Sequence, residues 1–102
     1  MARRVEWTEA AWGDLEQIGD YIAADSPHYA ASFVRRVRNV ARSLADFAER
    51  GPAVPEFGDA AIRELIVGNY RLVYKISRNT VTVLAVIHGA RDLVSFWREQ
   101  PR

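Results

Sequence analysis

Near residue 60 the hydrophobic pattern changes its period, and that change divides the chain into a helical half and a strand half. Val5–Trp7 alternates apolar, charged, apolar and predicts a short strand. Ala11, Leu15, Ile18 and Ile22 then recur at helical spacing, with Trp12 and Tyr21 beside the stripe. Thr8 precedes this run as an N-cap, and Glu9 puts a negative charge in the first turn, where the helix dipole favours it. Asp25-Ser26-Pro27 ends the first helix and opens a second, with Ser26 as cap and Pro27 at the first helical position. Ala30, Phe33, Val34, Val37, Val40, Ala41, Leu44 and Phe47 form the second apolar stripe, and Arg35, Arg36, Arg38 and Arg42 lie mostly off it. So short a break between two amphipathic helices predicts an antiparallel hairpin.

Gly51 to Gly58 carries two prolines and two glycines and predicts an irregular connector. Beyond it the period is two. Ile62–Val67, Tyr70–Ser77 and Thr80–His88 are rich in β-branched and aromatic residues and predict three antiparallel strands, joined at one edge by the Val5 strand. Gly68-Asn69 suits a two-residue hairpin turn, and Arg78-Asn79 suits the second. With two residues in each turn, Leu65, Val67, Tyr70, Leu72, Tyr74, Ile76, Val81, Val83, Ala85 and Ile87 share one face, with Arg63 near its edge. That face is expected to lie under the hairpin. The other would carry Ile62, Glu64, Ile66, Arg71, Val73, Lys75, Thr82, Leu84, Val86 and His88, a mixture that suits a partner surface. From Gly89 onward the expectation is a loop and a frayed helical turn.

The expected class is therefore α+β: an N-terminal strand, an antiparallel helical hairpin, then a three-stranded antiparallel meander in one sheet with the helices on one face. Residues 1–102 read as one domain, divided into 1–50 (strand and hairpin), 51–60 (connector), 61–88 (strands) and 89–102 (C-terminal loop or short helix). A chain of 102 residues with 49% hydrophobic content has room for one modest core.

Charge adds an asymmetry that the net value of +1 conceals. Six acids and no Lys or Arg fall between Val5 and Pro27, whereas seven bases face three acids from Ala60 onward. Every base but Lys75 is arginine, which suits bidentate binding of carboxylate or phosphate, against the plainer reading of a solvated surface. There is no cysteine, metal-ligand cluster or phosphate-binding glycine loop, so neither a metal nor an organic cofactor is expected. Without a signal-like apolar run or a membrane-length segment, the expected setting is the cytoplasm, with no membrane partner.

Val5-Glu6-Trp7-Thr8, Asp14-Leu15, Tyr21-Ile22, Asp25-Ser26-Pro27, Val54-Pro55-Glu56, Arg63-Glu64-Leu65, Gly68-Asn69-Tyr70-Arg71-Leu72-Val73-Tyr74 and His88-Gly89-Ala90-Arg91-Asp92 occur in an order and spacing that resemble the ParE/RelE toxins. The resemblance implies a type II toxin neutralised by a cognate antitoxin. It also implies one of two activities: ribosome-dependent mRNA cleavage, as in RelE-like members, or inhibition of DNA gyrase, as in ParE-like ones. Arg71 and Arg91 match the nuclease arginines, but Glu64 stands at the lysine position and Trp97 at the tyrosine position. Glutamate repels phosphate and tryptophan has no ionisable proton, so the resemblance points to a ParE-like gyrase inhibitor with a ParD-like antitoxin, not an enzyme.

Were the chain a nuclease, Arg71, Arg91 and His88 would be its catalytic candidates. His88 has a plainer alternative as the residue that orients the Gly89–Arg91 loop, and His28 is read as a helix-surface residue. The expected functional surface is Arg63, Glu64, Arg71, Lys75, His88, Arg91 and Trp97. Leu15, Ile18, Ile22, Phe33, Val37, Ile66, Arg71 and Val73 are the expected antitoxin contacts. A non-toxic module that only binds its partner is the third class.

Overall fold

A computed structural model describes residues 2–102. The order is β1 (Arg4–Trp7), α1 (Glu9–Ala23), α2 (Pro27–Ser43), β2 (Ile62–Val67), β3 (Tyr70–Ile76), β4 (Thr80–His88) and α3 (Leu93–Glu99), with a 3-10 turn at Ala48–Arg50. Both helix starts form as the sequence predicts. Ala11 N–H donates to Thr8 Oγ1 at 3.0 Å, Tyr29 N–H donates to Ser26 Oγ at 3.1 Å, and Pro27 occupies the first turn of α2. Each cap satisfies a backbone donor that a helix start leaves free. α2 ends at Ser43, before the apolar stripe does, and Phe47 stands exposed.

The four strands form one sheet in the order β1-β4-β3-β2. β2, β3 and β4 are the expected antiparallel meander, while β1 joins β4 in parallel and makes the sheet mixed. Val67 opposes Tyr70 across the first turn, where Gly68 alone takes positive φ (60°), the first-position glycine of a II′ turn. The second turn also holds two residues, since Ser77 N–H donates to Thr80 O and Ile76 opposes Val81.

The irregularity that changes the faces is farther along. Tyr74 opposes Val83 but Val73 opposes Ala85, so Leu84 is an extra residue on β4, a bulge. Past it the side chains exchange faces. Val86, expected outside, joins Val81, Val83, Leu72, Tyr74 and Val67 beneath the hairpin, against Ala11, Leu15, Phe33, Val37, Ala41 and Leu44. Ala85 and Ile87, expected inside, lie on the opposite face with Val73.

That opposite face is a second core. Val54 of the connector and Leu93 and Phe96 of α3 bury Val73, Ala85 and Ile87, flanked by Phe57, Ile62 and Trp97. The tail is thus more than a frayed turn, and helices lie on both faces rather than one. Asp92 caps α3 by accepting from Val94 N–H at 3.1 Å and from Ser95 Oγ at 2.8 Å, and these bonds draw its pKa below the ordinary 3.8.

The connector is fixed at its start. Tyr74 Oη, wholly buried, donates to Ala48 O at 2.7 Å and accepts from Gly51 N–H at 3.0 Å. Residue 51 must lack a side chain, because a Cβ there would sit 2.3 Å from Glu64 O. A bridge between Ala53 and Arg63 then lays the connector along the edge of β2.

Candidate functional site

The expected functional residues divide into one closed cluster and several separate positions. Arg71 on β3 sits opposite Ile66, so Glu64 on β2 is its diagonal neighbour. Arg71 Nε donates to Glu64 Oε1, while Nη1 and Nη2 donate to the two Glu56 carboxylate oxygens at 2.9 and 3.0 Å. The guanidinium side chain is only 11% exposed. Two carboxylates on one cation hold its proton more firmly than usual, and in return Arg71 draws the Glu56 carboxyl below its ordinary pKa of 4.5. All three guanidinium nitrogens are committed, so a phosphate would have to displace both acids. The cluster joins β2, β3 and the connector.

Arg63 is used in a similar way. Its Nε donates to Ala60 O at 3.1 Å, and Nη1 donates to Gly51 O at 3.0 Å and Glu49 O at 3.3 Å. Lys75 is exposed and forms no ion pair among the described residues.

The bulge removes His88 from the face of Arg71, where it was expected. It opposes Tyr70 with the rings edge-on at 5.2 Å, and its Nδ1 accepts from Ala90 N–H at 3.2 Å. Histidine and arginine therefore do not converge on one reacting atom, and the histidine contact is the loop-orienting one. Trp97 is half-buried and packs edge-to-face on Phe57 at 4.9 Å, as part of the second core. Arg91, its side chain half exposed, is more available than Arg71. It lies on the exposed loop before α3, with its guanidinium 4.6 Å from the Phe96 ring centroid and a long 3.9 Å approach to Glu99.

Four of the expected antitoxin contacts are buried in the folded chain. Leu15, Phe33, Val37 and Val73 are core side chains, none more than 6% exposed. Ile18 and Ile22 are half-buried at the hairpin edge of the first core. Ile66 is 66% exposed and stands as the open apolar residue of β2.

Sequence reasoning missed three elements. Glu56 gave no signal, because an irregular connector has no period from which to place a side chain. Asp14 gave one: it falls three residues after Ala11 and four before Ile18, on the apolar stripe. Its carboxylate is buried, bound by Arg102 and by Val86 N–H. The third is a groove of about 570 Å³ along the outer side of the hairpin, bordered by Trp12, Glu16 and Asp20 of α1 and by Arg35, Arg38 and Arg42 of α2.

Comparison with known proteins gives a consistent grouping. The family described as ParE toxin of type II toxin-antitoxin system, parDE, matches residues 5–93. Toxin RelE2 of Caulobacter vibrioides is 36% identical over 89 residues, covering 86% of this chain and 97% of its own. The fold resembles that in the chromosomal ParDE system of P. aeruginosa, with a TM-score of 0.71 and 20% identity over 85% of this chain and 96% of that one. It also resembles a chain of the RelBE2 toxin–antitoxin complex of Mycobacterium tuberculosis, with a TM-score of 0.62 and 26% identity over 86% and 99% of the two chains.

Proposed function

The chain belongs to the ParE toxin family of type II toxin–antitoxin systems, and from that membership we propose that it is a ParE-like inhibitor of DNA gyrase, held inactive by a cognate ParD-like antitoxin. The observation that carries the gyrase reading is the state of Arg71. An endonuclease that activates a ribose hydroxyl needs free cationic groups at the phosphate, with a base and an acid beside them. Here Arg71 is enclosed by Glu56 and Glu64, His88 lies on the other face, and Trp97 occupies the position where a nuclease of this superfamily would carry a tyrosine. The working surface in this reading is Arg91 and the loop around it, which need no proton transfer to bind a protein target.

Induction of the chain without antitoxin, with an SOS reporter and transcript integrity read in the same culture, tests the reading. The expected result is growth arrest with SOS induction and intact transcripts, and loss of arrest in Arg91→Ala at unchanged fold. Ribosome-dependent transcript cleavage without SOS induction would overturn gyrase as the target. Absence of arrest would indicate a module that only binds.

A further inference from the structure

The flank of α2 that faces away from α1 carries charge that the fold leaves unneutralised. Ser32, Arg36, Asn39 and Ser43 recur along it at helical spacing, whereas Arg38 and Arg42 turn toward α1. Beyond the helix, the 3-10 turn at Ala48–Arg50 returns Arg50 to this flank, where its Nη1 donates to Ser43 Oγ at 3.2 Å. With Arg35 these residues border a groove of about 410 Å³. Arg35, Arg36 and Arg50 are exposed, and among the described residues none of the three enters an ion pair.

Local hydrogen bonds leave donors free along the groove. Ser43 Oγ donates to Val40 O at 2.6 Å and accepts from Arg50, which steadies that guanidinium. Arg50 Nε and Nη2 have no partner among the described residues. Asn39 Oδ1 accepts from Arg42 Nη1 at 3.1 Å, so its amide nitrogen remains a donor. Arg63 Nη1 donates to the Glu49 and Gly51 carbonyls on either side of Arg50 and adds a second positive charge behind it. The acids nearest in sequence, Asp46 and Glu49, border the neighbouring hollow around Phe47 instead.

The lining selects an anionic occupant of a particular kind. Half-buried Val40 is the one apolar residue bordering the groove, too little for the apolar centre of a protein interface. Among the described residues no aromatic side chain lines it, so the bases of a single strand would find no stacking surface. Arginine, asparagine and serine are the side chains from which backbone oxygens of duplex DNA accept hydrogen bonds. Arg36 to Ser43, where Arg50 is held, is about 10 Å of helix. That length spans roughly three phosphates of one strand. On the α1 side of the helix the same backbone would meet Glu16 and Asp20 across from Arg38 and Arg42.

We propose that this flank of α2 docks on the sugar–phosphate backbone of duplex DNA, without base readout, through Arg36 and Arg50 with Arg35 and Asn39 beside them. α2 covers the hairpin face of the sheet, whereas Arg91 precedes the helix that covers the opposite face, so the two surfaces do not compete. In the gyrase reading the groove adds a contact to the DNA on which the target works. DNA binding itself is measured without gyrase and does not depend on that reading.

Fluorescence anisotropy of a short labelled duplex, titrated with the purified full chain, tests the proposal. The expected result is binding that is indifferent to sequence and weakens steeply with salt. Arg36→Ala/Arg50→Ala should weaken it roughly tenfold or more at low salt and reduce the slope of log affinity against log salt by about 2. Arg36→Lys/Arg50→Lys should keep most of the affinity and the slope, because the charge at the phosphates is retained. Arg98→Ala, at an exposed arginine of α3, should bind like the parent. Thermal midpoints of all three variants should stay near the parent's, since the substituted side chains are exposed. Absence of duplex binding by the parent, undiminished binding by Arg36→Ala/Arg50→Ala, or an equal loss in Arg98→Ala would overturn the proposal. Tighter binding of the single strand than of the duplex would overturn it as well.

Discussion

The Arg102 guanidinium closes on the Asp14 carboxylate with two bonds, Nη1 to Oδ2 at 2.6 Å and Nη2 to Oδ1 at 2.8 Å, and both side chains are buried (1% and 8% exposed). The pair has a structural task. β1 ends at Trp7, and the last link from that side of the sheet is Thr8 N–H to Val83 O, whereas β4 runs on to His88. Along this open edge Leu84 O accepts from Arg102 Nη1 at 3.1 Å and Val86 N–H donates to Asp14 Oδ2 at 3.1 Å. Two side chains thus replace part of a missing strand at the bulge, and Arg102 also lies 4.4 Å from the Phe96 ring centroid. Arg102→Ala leaves a buried carboxylate without its cation and should cost about 3 kcal/mol in urea unfolding. Adding Asp14→Asn should recover part of that loss. Additive losses from the two substitutions would contradict the coupling.

Tyr74→Phe tests the anchor of the connector. It removes one hydroxyl and leaves Ala48 O and Gly51 N–H without that partner in a buried setting. The expected loss is about 1–3 kcal/mol. For a domain of this size each kcal/mol lowers the thermal midpoint by roughly 4–8 °C, so calorimetry should show a drop of several degrees. A midpoint equal to the parent's would mean the hydroxyl contributes nothing.

Acid should loosen the Arg71 cluster through Glu56. Its folded pKa lies below 4.5 because Arg71 binds the charged form. The stabilisation is therefore fully present above the unfolded value and is lost as pH falls through the lowered folded value, while Arg71 remains cationic throughout. In Glu56→Gln this dependence should be absent. The stability gap between parent and variant, measured as urea midpoints, should narrow as pH falls from about 5 to about 3. A gap that stays constant over that range would exclude the linkage.

Exposure separates the expected contact residues into two groups with different phenotypes. Leu15→Ala empties a core site and should cost about 2–5 kcal/mol, so any loss of antitoxin binding would follow from unfolding. Ile66→Ser changes an open side chain and should move stability by no more than about 0.5 kcal/mol. A binding defect in Ile66→Ser at parental stability would identify β2 as contact surface. Destabilisation of Ile66→Ser comparable to Leu15→Ala would contradict the exposed position.

The sequence by itself determined what depends on neighbouring residues. Thr8, Ser26 and Pro27 set the helix starts, and Gly68 set the first hairpin turn, because caps and tight turns are satisfied within four residues. Hydrophobic periodicity was enough to assign both hairpin helices and all four strands, and the residues after Gly51 read as irregular for the same local reason.

Only the tertiary structure decided which side chains meet. The bulge at Leu84 follows from no local signal, yet one extra residue moves Val86 and His88 to the hairpin face and Ala85 and Ile87 to the other. Burial of the second face depended on α3 folding back, and closure of Arg71 depended on Glu56 arriving from the connector, fifteen residues away. Asp14 and Arg102 meet across 88 positions, at an edge that exists only because β1 is shorter than β4. Periodicity assigns a residue to a face of its own element. Which face is covered, and which charge is neutralised, is settled when distant elements compete to bury the same surface.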